Sequence, residues 1–117
     1  MNDNFIRPIE VQLVIDGDTI RGLLSVGFNV LLGSQTCRLA RIDAPPIYGP
    51  DPLPGIASRN FLINEIRGKT MLIECKEFEQ GKYRRWIVEL WRIDSNRAQT
   101  NMNDLMVASG HAIYKTF

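Results

Sequence analysis

Three aspartates and a small set of arginines are the residues of this chain best suited to chemistry. Asp16 and Asp18 flank Gly17, Asp43 closes the run Arg38-Leu39-Ala40-Arg41-Ile42-Asp43 ahead of Ala44-Pro45, and Lys82-Tyr83 precede Arg84-Arg85. Carboxylates offer the hard oxygen donors that Ca²⁺ or Mg²⁺ prefers. A guanidinium is planar and can grip two oxygens of one phosphate. Taken singly, each feature has a plainer reading: Asp-Gly-Asp makes a tight turn, an Asp before Ala-Pro ends a strand, and strand arginines face solvent with their stems along apolar neighbours. Any chemistry therefore depends on a fold that brings these distant residues to one place.

Other chemistries are absent from the sequence. The single histidine, His111, lies near the C-terminal end and reads as a structural residue, and there is no G-x-S-x-G elbow to support a Ser-His-Asp triad. No phosphate-binding glycine loop of the G-x-x-x-x-G-K-[ST] or G-x-G-x-x-G type occurs, and one histidine with two cysteines is too few for a zinc centre. An EF-hand is excluded as well: counting from Asp16, Ile20 and Gly27 fall where an oxygen ligand and a Glu are required.

The elements that must position the acids follow from periodicity and turn residues. Glu10 to Ile15 reads as a strand, Asp16-Gly17 as a hairpin turn, and a second strand starts near Thr19 and runs through Ile20, Leu24 and Val26, with Gly22 and Gly27 as places for a bend or bulge. Gly33-Ser34 reads as the next turn and Thr36 to Ile42 as the third strand. Five prolines between Pro45 and Pro54 predict an irregular surface loop. The spacing of Ser58, Leu62 and Ile66 predicts a helix over Ile56 to Arg67, ended by Gly68. Strands follow over Thr70 to Phe78 and Arg85 to Ile93. Asn101 or Asn103 caps a last helix with Met102, Leu105, Met106 and Ser109 on one face, ended by Gly110. The order β-β-β-α-β-β-α, mainly β with two helices, suits a five-stranded Greek-key barrel of the OB type.

With 117 residues, 44% of them hydrophobic and 23% charged, the chain is expected to form a single domain over 1–117. A net charge of +1 is too balanced for tight nonspecific binding to a polyanion, so recognition of phosphate has to be local. No apolar run of signal-peptide or membrane-spanning length is present, which points to a cytoplasmic protein with no membrane partner. The sequence carries no signal for oligomeric state. Cys37 and Cys75 read as buried free thiols, a disulfide being the lesser alternative.

Together, Val14-Ile15-Asp16-Gly17-Asp18-Thr19-Ile20, Arg38-Leu39-Ala40-Arg41-Ile42-Asp43-Ala44-Pro45, Lys82-Tyr83-Arg84-Arg85, and Asn103 through Leu105-Met106 to Gly110-His111-Ala112 resemble the staphylococcal nuclease (thermonuclease) family in order and spacing, over nearly the whole chain. The stretch Val26-Gly27-Phe28-Asn29-Val30 is similar to bacterial and phage members. The resemblance implies an OB-fold barrel that hydrolyses DNA or RNA phosphodiesters, single-stranded nucleic acid included, with Ca²⁺ or another hard divalent cation. It implies metal ligands at Asp18, Asp43 and the Ala44 carbonyl, with Asp16 and Thr19 supporting the turn. Arg38 and Arg85 would hold the scissile phosphate, and Lys82, Tyr83 and Arg84 would contact substrate.

Two departures bear on mechanism. Where the family has a Glu after Asp-Ala-Pro or Asp-Thr-Pro, assigned to activate water, this chain has Pro46, which accepts no proton; Asp51 is the nearest following carboxylate. Arg84 stands where the family favours Gly. The expectation is a nuclease of reduced activity. The alternative is a catalytically inactive barrel that binds nucleic acid or protein, with Trp86 or Trp91 as a stacking surface.

Overall fold

The computed structural model describes residues 5–80 and 84–115. Five long strands wrap into a closed barrel: β1 (Ile6–Asp16), β2 (Thr19–Ser25), β3 (Leu31–Leu39), β5 (Thr70–Glu79) and β6 (Arg85–Ile93), in the order β3-β2-β1-β5-β6, with β3 and β6 closing the circle in parallel. All other neighbours are antiparallel. Closure removes the free edges of the sheet. Helix α1 (Leu53–Ile66) lies between β3 and β5 in sequence, so the observed architecture is the OB-like barrel with two helices expected above.

Three short strands add to that order. After β3, a left-handed Arg41 (φ 69°) turns the chain into β4 (Ile42–Asp43), which pairs with β8 (Ile113–Tyr114), while β7 (Gln99–Asn101) extends the sheet beside β6 and leads into α2 (Met102–Ala108). The β2–β3 boundary also differs from expectation. The turn lies at Gly27-Phe28-Asn29-Val30, where Phe28 and Asn29 both take positive φ and the Val30 N–H donates to the Gly27 carbonyl at 2.9 Å. That is a type I′ geometry, which suits a hairpin. Gly33-Ser34 is instead absorbed inside β3, with Ser34 at φ 55°.

The inward faces of the strands supply Ile20, Cys37, Leu39, Ile73, Val88 and Leu90, and the helices add Leu62, Met102 and Met106, all of them fully buried. Helix α1 buries Gly55, Ser58, Leu62 and Ile66, the spacing expected of its inner face, and Gly68 leaves it at φ 71°. In α2 the cap is Asn101, whose side chain accepts from the Asp104 N–H. Asn103 is not a cap: fully buried, it accepts from the Leu90 N–H and donates to the Ala40 and Val88 carbonyls, tying α2 to β6 and to the end of β3. Both cysteines are free. Cys37 is buried, and burial, with the nearby Cys75 second, pushes its thiol up to about 12, leaving it unreactive; Cys75 is only partly buried. Among the described residues no helix is long and apolar enough to cross a membrane.

Candidate functional site

Asp18, Arg38 and Asp43 meet on the outside of the barrel. Thr19 and Arg38 are direct neighbours across the β2–β3 pair, which puts the start of β2 beside the end of β3. Arg38 Nη2 lies 3.3 Å from Asp18 Oδ2 and 3.4 Å from Asp43 Oδ1, and its Nη1 donates to the Leu39 carbonyl at 2.7 Å. One guanidinium thus bridges two carboxylates that are 25 residues apart in the chain.

Asp18 is almost completely buried, and each of its oxygens is engaged. Oδ2 accepts the Ala44 N–H at 2.7 Å, Oδ1 accepts the Thr19 hydroxyl at 2.9 Å, and the Asp18 N–H donates to Asp16 Oδ1 at 3.0 Å in an Asx turn. Burial, then the Asp16 carboxylate, pushes the Asp18 carboxyl up from 3.8 to about 6, against the opposing pull of the Ala44 N–H and Arg38. Asp43 is more open, with Lys115 Nζ 3.7 Å from its Oδ2.

Helix α1 sets the position of both acidic segments. A Cβ on Gly17 would fall 1.9 Å from Ser58 Oγ, and a Cβ on Gly55 would fall 2.0 Å from the Pro46 carbonyl oxygen. Glycine is therefore required at both positions. The second contact pins the proline loop onto the first turn of the helix, and the first pins the Asp16–Asp18 turn onto its second. The Asp-Gly-Asp signature consequently serves a helix contact as well as a turn.

A second network fixes the β3–β4 corner. Arg41 donates from Nε and Nη2 to the buried carboxylate of Glu89 and from Nη1 to Asp104, which also accepts the Tyr114 hydroxyl; Asn101 adds a further donor to Glu89. The Arg41 hydrogen bond holds Asp104 below the ordinary carboxylate range. The Lys115 N–H donates to the Arg41 carbonyl at 2.8 Å. Arg38 and Asp43 lie on either side of this corner, so its rigidity sets their separation. The alternation in β6 marks Glu89 only as an outward residue, and nothing in the spacing pairs it with Arg41.

The remaining candidates are placed differently. Arg38 is in register with Ile87, so Arg85, two residues earlier on β6, stands on the same outer face. Its Nε donates to Glu79 Oε1 at 2.8 Å, which ties it to its cross-strand partner on β5. Arg84 is exposed at φ 47°, a backbone conformation that favours the glycine expected there. Lys82 and Tyr83 lie outside the described residues. Asp51 is exposed just ahead of α1. Trp86 donates to Gln35 and packs on Phe78, and Trp91 donates to Glu74, so both indoles are half-buried in cross-strand contacts.

No protein-family model matches the chain, and neither does any curated protein. Among the described residues, no three Asp, Glu, His or Cys side chains form a ready-made metal cage. Asp18 and Asp43 each place an oxygen within 3.4 Å of Arg38 Nη2, and carboxylate oxygens are donors of the kind a hard cation takes. A small cleft of about 240 Å³ opens beside Asp43, between the Ala44-Pro45-Pro46 segment and the Gly110–Ile113 segment that includes His111.

Proposed function

We propose that this chain is a phosphodiesterase of the staphylococcal nuclease type, acting on DNA or RNA with Ca²⁺ and working slowly because Pro46 stands in place of a general base. The reading is supported above all by the single contact point at which Arg38 meets Asp18 and Asp43. Asp18 is far from Arg38 and Asp43 in the chain, and the barrel brings both carboxylates within 3.4 Å of one arginine nitrogen.

Asp18, Asp43 and the Ala44 carbonyl would hold the cation, which supplies charge neutralisation at the phosphate. Arg38 would offer its planar fork to the phosphate oxygens, with Arg85 on the same face of the barrel. Aimed donors of this kind act mainly on charge that builds in the transition state. Missing a base costs about 10²–10⁴-fold where nothing replaces it. A specific observation favours the second reading, a non-catalytic nucleic-acid-binding barrel: Arg85 is already paired with Glu79. Cleavage separates the two. Purified protein in saturating Ca²⁺ is expected to degrade single-stranded DNA or RNA and to stop on addition of a chelator. Binding of the strand without any cleavage at high protein concentration would leave the binding barrel standing.

A further inference from the structure

We infer that His111 is the proton acceptor for the attacking water, a slower substitute for the carboxylate that Pro46 replaces; this rests on the phosphodiesterase reading above. The loop after α2 runs antiparallel to the segment that carries Asp43, with Asp43 opposite Ile113, and so brings His111 to the Pro45-Pro46 side of the cleft. At about 240 Å³ the cleft has room for several waters.

The residue is held at three points. Its N–H donates to the Met106 carbonyl at 2.9 Å, its carbonyl accepts from Ser58 Oγ at 2.8 Å, and its ring stacks on Phe61 with centroids 4.6 Å apart and planes at 30°. Ser58 is also the side chain against which Gly17 packs. One hydroxyl therefore ties the His111 backbone to the turn carrying Asp16 and Asp18. Imidazole is the side chain most often used to take a proton in catalysis. In the step assigned to it, a water in the cleft gives a proton to a ring nitrogen while its oxygen forms a bond to phosphorus. The bond from phosphorus to the leaving alkoxide breaks, the alkoxide takes a proton from bulk water, and the imidazolium returns its proton to solvent.

The test compares cleavage of single-stranded DNA in saturating Ca²⁺ by the wild type, His111→Phe, His111→Ala and Pro46→Glu. His111→Phe keeps a ring on Phe61 and removes both nitrogens. It is expected to lose about 100-fold in kcat, with KM and the Ca²⁺-induced rise in Tm unchanged. His111→Ala is expected to regain part of its rate when free imidazole is added. Wild-type cleavage by His111→Phe overturns the inference and leaves the nuclease reading intact. A loss that imidazole does not lift in His111→Ala also overturns it, by assigning a packing role. An inactive wild type switched on by Pro46→Glu shows that His111 is not the base, and no cleavage by any of the four removes both readings together.

Discussion

Asp18→Asn is expected to remove Ca²⁺-dependent activity and, at the same time, to make the ion-free protein more stable at pH 8. The Asp18 carboxyl is pushed up to about 6 by burial and by Asp16. The folded state therefore holds this proton more tightly than the unfolded chain does. Asp18's favourable contribution is fully present below about pH 4 and is lost as pH rises through about 6; at pH 8 the ionised side chain is a net cost of about 3 kcal/mol. Asparagine keeps an acceptor for the Ala44 N–H and removes the charge, but it also gives up the ion pair with Arg38. The expected gain is about 1–2 kcal/mol at pH 8, shrinking to nothing near pH 4. Urea unfolding of both proteins at the two pH values, with and without Ca²⁺, measures it. In the wild type, Ca²⁺ should stabilise above pH 6 and progressively less below, because the cation competes with the proton for the same oxygens. A variant that is less stable than wild type at pH 8, or still stabilised by Ca²⁺, contradicts this account of Asp18.

Arg38→Ala separates ion binding from catalysis, because the two should move in opposite directions. With the guanidinium gone, a cation no longer competes with Arg38 for Asp18 and Asp43, and Ca²⁺ should bind several-fold more tightly. Cleavage should fall by about 10²–10³-fold, the loss typical when one donor to the developing charge is removed. Arg38→Lys should restore a positive charge near the acids but little of the rate, since an ammonium lacks the planar fork. Calcium titration by calorimetry alongside single-turnover cleavage tests both. A fall in Ca²⁺ affinity would mean that Arg38 organises the carboxylates and does not compete for them.

Much of this site was legible because its residues are tied to strong local signals. Asp16-Gly17-Asp18 sits on a hairpin turn, Arg38 on a strand with a clear apolar alternation, and the proline run bounds the segment after Asp43. The β2–β3 turn escapes local sequence signals because Phe28 is not a turn residue by type, although it adopts positive φ at a nearly fully exposed tip, whereas Gly33-Ser34 looks like a turn and is a strand irregularity. The β4–β8 pair has only two residues on each side, too few to leave a periodic pattern. The Arg41–Glu89–Asp104 network joins positions dozens of residues apart and appears only once the barrel closes. His111 read as structural for the same reason: neither the cleft beside Asp43 nor the Phe61 stack has any trace in local sequence.

A crystal soaked in saturating Ca²⁺ is the closest check on the metal site. An ion is expected between the carboxylates of Asp18 and Asp43, with Arg38 swung out toward solvent. An unchanged Arg38 bridge and no ion between the two carboxylates at saturating Ca²⁺ would contradict it.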